Sequence, residues 1–219
     1  MEVKLKIRID LKIILFLILF WFTNQVNIYL TIVFFCIIHE LGHLIAGLAL
    51  KLKPENIEIT PYGLSIKLKT NIKDLNKKLG KGNNLELKKI IIALAGPLTS
   101  LILSIIFIYI DPIIIEKQDA IYSNILILLF NLIPIYPLDG GRIIKGILHI
   151  KFGNRFARKV VNIMSNIIMV ILSFIFSIAV FYFQNIAYFF ICIFLWCITL
   201  EENNKYRNYL KINDILNNE

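Results

Sequence analysis

The chain is poor in three residue types: its 219 residues include only three cysteines, three histidines and six prolines. Cys36, Cys192 and Cys197 each lie inside an apolar run, which argues against a disulfide framework and against a cysteine-based zinc site. Polar residues are also scarce, since 58% of the chain is hydrophobic and the mean hydropathy is +0.72. A soluble domain of this size is therefore excluded, and we predict an all-α polytopic membrane protein.

The positive charge of the chain lies between its apolar runs. A net charge of +9 is compatible with nucleic-acid binding, but membrane proteins use lysine and arginine in their connecting loops to set orientation. Residues 51–89 contain ten lysines against four acidic residues, so this segment is predicted to be cytoplasmic. We therefore expect no nucleic-acid partner, a lipid bilayer around the protein, and cytoplasmic N- and C-termini.

Six apolar runs are predicted to cross the membrane. The first has no small-residue cleavage site after it, so it is predicted to be a retained span and not a signal peptide. Residues 142–159 are basic and are predicted to form a cytoplasmic loop. The predicted spans are residues 13–23, 28–50, 90–110, 120–137, 160–183 and 186–200.

A small β-hairpin is predicted after the second span. Residues 57–69 alternate apolar and polar side chains with a period of two on either side of Thr60-Pro61-Tyr62-Gly63. A hairpin here would lie at the membrane surface and could pair with an extended peptide. A solvated loop with weak strand tendency fits the same residues equally well.

The second span contains three ionisable side chains, His39, Glu40 and His43. Helical residues four apart lie on one face, about 6 Å from each other, so both imidazoles can reach one metal ion. In zinc hydrolases two such histidines hold the ion, and the glutamate between them takes a proton from the attacking water. An acid inside a membrane helix costs roughly 2.5–3.5 kcal/mol, so we expect a functional site and not a chance pattern.

The fourth span ends in a segment that cannot remain helical, because two prolines and the pair Gly140-Gly141 follow Asn131. A catalytic zinc ion usually has three protein ligands, and the histidine motif supplies only two. Asp139 is the best candidate for the third, since the second and fourth spans run in the same direction. A turn-forming aspartate before two glycines remains the alternative. Asn131 is a candidate for holding the substrate backbone, and helix–helix hydrogen bonding is its alternative role.

Three motifs, taken in order, resemble the site-2 protease family of intramembrane zinc metalloproteases. They are His39-Glu40-Leu41-Gly42-His43, Ala95-Gly96-Pro97 and the segment from Asn131 to Gly141. The resemblance implies Zn²⁺ at His39, His43 and Asp139, with Glu40 as the base. It also implies that Asn131 and Pro134 contact the substrate.

Within that family the six-span plan is most similar to sporulation members, which cleave the membrane-associated precursor of a sigma factor. The resemblance then implies a bacterial cell or forespore membrane, and membrane inhibitor proteins to restrain the enzyme. We expect residues 1–200 to form the protease domain and residues 201–219 a short cytoplasmic tail, without the CBS or PDZ domain of other members. Other substrates such as an anti-sigma factor, a metal transporter and an inactive scaffold remain as alternatives.

Overall fold

The computed structural model describes residues 6–9, 26–60, 63–69 and 78–217, and the chain divides into two compact units, Met1–Leu132 and Ile133–Glu219. The elements of the first unit are β1 (Lys6–Ile9), α1 (Val26–Ala49), β2 (Lys53–Thr60), β3 (Gly63–Lys69), α2 (Lys78–Tyr109) and α3 (Lys117–Leu132). Those of the second unit are α4 (Asp139–Phe152), α5 (Asn154–Phe183) and α6 (Ala187–Asn217).

The three strands form one sheet in the order β1, β2, β3. Strands β2 and β3 pair antiparallel, with Ile57 opposite Ile66, so the period-two pattern correctly predicted a hairpin here. Strand β1 pairs parallel with β2 and was not predicted, although Lys6–Ile9 also alternates polar and apolar residues. Both β2 and β3 contact α1, which places the hairpin beside the helix that carries the histidine motif.

The helices of the first unit pack around aromatic and small side chains. Phe35 of α1 is almost fully buried against Ala120 and Ile127 of α3, and its ring meets the edge of Phe107 at 5.6 Å between centroids. Cys36 packs against the same cluster. Cys36 therefore contributes to the packing of the first unit.

Three helices among the described residues are long and apolar enough to cross a membrane: Val26–Ala49, Asn84–Tyr109 and Asn154–Phe183. They correspond to the second, third and fifth predicted spans. The first predicted span lies outside the described residues. Helix α3 has only 16 residues, and α6 combines an apolar first half with a charged second half. The count of six spans therefore stays a prediction.

The fourth predicted span ends earlier than expected. Helix α3 stops at Leu132, and residues 133–138 form an irregular segment before α4 begins at Asp139. The expected break is thus present, but five residues before Pro137. Proline restricts the residue that precedes it to extended conformations, so Ile133 cannot continue the helix into Pro134.

The loop predicted at residues 142–159 is wrong, because these residues lie in α4 and the first turns of α5. Isoleucine and leucine alternate with lysine and histidine at helical spacing in Asp139–Phe152, and this pattern makes an amphipathic helix despite the high charge. Gly153 separates the two helices with φ of 83°, a left-handed conformation that favours glycine.

Candidate metal centre

Helix α1 turns both motif histidines into the interior of the first unit. His39 is 2% exposed and His43 is 5% exposed, and their ring centroids lie 4.9 Å apart. A ligand nitrogen of each ring lies within 4.8 Å of one on the other. The spacing of four residues thus brings the two imidazoles together as the sequence predicted.

Helix α2 orients the two imidazoles through their Nδ1 atoms. His39 Nδ1 lies 2.9 Å from the hydroxyl of Ser100, and His43 Nδ1 lies 2.6 Å from the backbone carbonyl oxygen of Ile92. Two groups contact His43 Nδ1: the carbonyl oxygen of Ile92, which only accepts, and the N–H of Gly96 at the longer distance of 3.3 Å. The shorter contact favours a proton on Nδ1, which leaves the Nε2 lone pair for a metal ion. Neither partner was predicted, because contacts between residues 49 or 61 positions apart leave no mark in local sequence spacing.

Gly96 of α2 lies where the two Nε2 atoms converge. A Cβ atom built on Gly96 would lie 2.6 Å from His39 Nε2 and closer still to His43 Nε2. Only a residue without a side chain fits at this point. The motif Ala95-Gly96-Pro97 thus brings the backbone of α2 against the imidazole nitrogens of α1.

We expect Gly96→Ala to lower zinc affinity at least about tenfold, because its methyl group would occupy the space in front of both Nε2 atoms. Zinc content of the purified protein, measured by atomic emission, checks this. Gly42→Ala is the matched control, since a Cβ there would meet Thr99 and the carbonyl of Ala95 at 3.1 Å instead of the imidazoles. The control should reduce thermal stability and keep its zinc; equal zinc in both variants would contradict the role given to Gly96.

Glu40 follows His39 on α1 and is half-buried. Successive residues of a helix are rotated by about 100°, so the carboxylate of Glu40 lies beside the face that carries the two histidines and not on that face. This position suits a group that exchanges protons with a molecule held at the histidines. It does not suit a third ligand on the same face.

The remaining predicted residues lie at the end of α3 and in the second unit. Asn131 is half-buried on α3, and its Nδ2 donates to the backbone carbonyl oxygen of Ile127 at 3.0 Å. Pro134 belongs to the irregular segment that follows, in the second unit. Asp139 begins α4, is 4% exposed, and has Arg142 Nη1 at 3.6 Å from its carboxylate.

The pair Gly140-Gly141 has a different role from the turn considered for it. Both glycines are buried in the first turn of α4. A Cβ on Gly141 would lie 2.5 Å from the carbonyl carbon of Ile135, so glycine allows the helix to pack onto the irregular segment. Asp139 itself is the first residue of α4, where the helix dipole favours negative charge.

The donor set fits zinc. Two buried imidazoles that present Nε2 atoms, each anchored through Nδ1, are the ligands and the outer hydrogen bonds that histidine zinc sites use. The space that Gly96 leaves open lies at these same nitrogen atoms.

Comparison with known proteins agrees with this reading of the site. Residues 27–115 and 118–175 match the family described as peptidase family M50. A zinc metalloprotease of Methanocaldococcus jannaschii is 30% identical over 164 residues, which are 71% of this chain and 43% of that protein. Stage IV sporulation protein FB of Bacillus subtilis is 24% identical over 126 residues, 56% of this chain and 40% of that protein. The chain thus spans less than half the length of these relatives.

A solved structure shares the fold. The site-2 protease from Methanocaldococcus jannaschii superposes with a TM-score of 0.65 at 24% sequence identity, over 90% of this chain and 89% of that one. The residues that match the family include α1 from Asn27 onward, with both of its histidines.

Proposed function

Since the chain belongs to peptidase family M50, we propose that it is a zinc-dependent intramembrane endopeptidase of the site-2 type. The observation that carries the proposal is the pair His39 and His43, buried on one helix face with both Nδ1 atoms anchored on α2. Glu40 stands next to this pair on the same helix. A transport site or a binding scaffold has no need of that carboxylate.

We assign the metal to His39, His43 and Asp139. A catalytic zinc site has three protein ligands with one position open, and two histidines with one carboxylate is an established set. Asp139 supports this assignment by its chemistry, since it is a buried carboxylate in the motif that the family resemblance points to.

The chain's own residues then share the hydrolysis of a peptide bond. Zinc, when bound, supplies a Lewis acid that polarises the scissile carbonyl and makes water a better nucleophile. Glu40 takes the proton of the attacking water and passes it to the leaving amine nitrogen. The burial of His39 and His43 restricts bulk water, which strengthens charge interactions at the site.

Substrate positioning is assigned to Asn131, Pro134 and the sheet. Nδ2 of Asn131 donates within its own helix, so its Oδ1 is the atom that would accept a substrate backbone N–H. Pro134 lies in the irregular segment, whose broken helix would expose backbone to an extended peptide. Strand β3 lies at one edge of the described sheet and beside α1, where an unwound substrate could add as a further strand.

The substrate we propose is a membrane-associated sigma-factor precursor, as part of sporulation. The similarity to stage IV sporulation protein FB supports this choice. An anti-sigma factor cleaved by the same chemistry is the alternative. The proposal includes six spans in a bacterial cell or forespore membrane, with both termini cytoplasmic. The lysine excess of residues 51–89 supports this orientation. It also includes membrane inhibitor proteins as partners.

Co-expression with tagged substrates tests the proposal. We expect the protein to shorten a tagged sigma-factor precursor, and the purified protein in detergent to lose this activity with a zinc chelator and regain it with added Zn²⁺. Cleavage of a tagged anti-sigma factor alone would keep the protease and change its substrate. Failure to cleave either substrate while zinc is bound at about one ion per chain would contradict the proposed endopeptidase.

A further inference from the structure

A cavity of about 60 Å³ opens in the second unit, and Tyr136, from the segment before Asp139, belongs to its lining. Three cations line it, one from each helix of the unit: Lys145 of α4, Arg158 of α5 and Lys205 of α6. Glu202 is the acidic residue of the lining. The cavity wall therefore has a net charge of +2.

The contacts of these cations leave their charge intact. Lys145 Nζ lies 4.0 Å from the centroid of the Tyr136 ring, and Arg158 Cζ lies 4.4 Å from that of Tyr209. Arg158 Nε also donates to Asn154 Oδ1 at 3.0 Å. Neither an aromatic face nor an amide oxygen neutralises a cation, so both side chains are held in place as positive charges.

Lys205 is partly neutralised and the rest of the lining offers neutral polar groups. Hydrogen bonds to Glu202 and Glu201 raise the pKa of Lys205 to about 12, which keeps the ammonium charged at neutral pH. The amides of Asn162 and Asn203 also line the cavity, and Asn162 Nδ2 donates to Asn203 Oδ1 at 2.5 Å. Cations combined with amide and hydroxyl groups form the lining that a multivalent oxyanion requires.

The cavity lies where the charged ends of two helices meet their apolar stretches. Arg158 precedes the apolar run of α5, and Lys205 follows the apolar run of α6. Apolar residues that follow two of the lining residues in sequence are exposed: Ile163, after Asn162, at 49%, and Leu200, after Thr199, at 51%. Basic pockets between helices at this level suit phosphate head groups, whose acyl chains can follow the apolar surface.

We propose that this cavity binds a phosphate group, with Lys145 and Arg158 as the principal contacts. A phosphate dianion matches the net charge of the wall, and a phosphodiester, with one negative charge, balances half of it. Inorganic phosphate is therefore one candidate ligand, and the other is the head group of an anionic lipid, whose acyl chains the flanking apolar surface would accommodate. The lining of the cavity includes none of the residues assigned to hydrolysis.

Lipid binding by the full chain, purified in zwitterionic micelles, tests the proposal. Native mass spectrometry measures retention of phosphatidylglycerol against diacylglycerol with the same acyl chains, and ³¹P NMR measures binding of inorganic phosphate. The cavity variant is Lys145→Gln with Arg158→Gln. Its matched control is Arg155→Gln with Lys159→Gln. These two exposed residues lie in α5, and their replacement removes the same number of positive charges.

We expect the cavity variant to bind phosphatidylglycerol or inorganic phosphate about tenfold more weakly, and the control to stay within about twofold of the unaltered protein. If the cavity variant loses binding of phosphatidylglycerol only, the ligand is a membrane head group. If it loses binding of inorganic phosphate only, the ligand is soluble. Either result supports the site. No binding of either probe, or equal binding in cavity variant and control, would overturn it. Lys145→Gln alone serves if the double variant unfolds, with about threefold weaker binding expected.

Discussion

Glu40→Gln is expected to reduce peptide-bond cleavage by about 10²- to 10⁴-fold, the usual contribution of a positioned acid–base group. Glutamine has nearly the shape of glutamate but cannot accept the proton of the attacking water. Zinc content should stay at about one ion per chain, because the ligands assigned to the metal are His39, His43 and Asp139. The measurement is the rate of cleavage of the tagged sigma-factor precursor, with zinc determined on the same preparation.

Glu116→Gln is the matched control for this experiment. Glu116 is an exposed acid in the connection before α3, so its loss makes the same chemical change away from the histidine pair. Cleavage should be unchanged in that variant. If Glu40→Gln bound zinc and still cleaved at the original rate, another group would have to act as the base, and the role assigned to Glu40 would be lost.

Asp139→Asn is expected to weaken zinc binding by roughly 100-fold or more, since losing a direct ligand should exceed the 10- to 100-fold loss typical of outer-shell partners. Asparagine keeps the size of the side chain and its ability to sit at a helix N-terminus. The change therefore removes the charged ligand with little effect on the start of α4. Competition with a chelator of known affinity measures the loss, and thermal unfolding measures stability.

Arg142→Gln separates the ligand role from a structural one. Its guanidinium is half exposed and lies 3.6 Å from the Asp139 carboxylate, so it contacts that carboxylate without being one of the ligands assigned to the metal. We expect this variant to retain zinc. Asp139→Asn with normal zinc affinity and lowered thermal stability would instead show an acid that serves only the helix dipole, an effect of about 0.3–1 kcal/mol.

Local features of the fold could be predicted because they depend on the period of the backbone. His39 and His43 share a face since helical residues four apart do so in any helix. The hairpin of β2 and β3 follows from alternation with period two. The same reasoning does not predict α4, because the charge of residues 142–159 is typical of a loop while their apolar residues recur at helical spacing.

Contacts between distant segments could not be predicted in the same way. Strand β1 pairs with β2 across about 50 positions of sequence, and nothing in Lys6–Ile9 specifies this partner. The hydrogen bonds from Ser100 and Ile92 to the two imidazoles depend on how α2 packs on α1. The cation-lined cavity needs three helices to bring their side chains together, and those side chains had been interpreted only as signals of orientation.

Composition and helical spacing are enough to predict the class of protein, the histidine motif and the residue types that hydrolysis requires. The packing of the helices is needed to explain which imidazole nitrogen faces the metal position and why glycine stands at residue 96. Both depend on the close approach of α1 and α2. That approach is set by side-chain packing over the whole length of two helices, which no local spacing records.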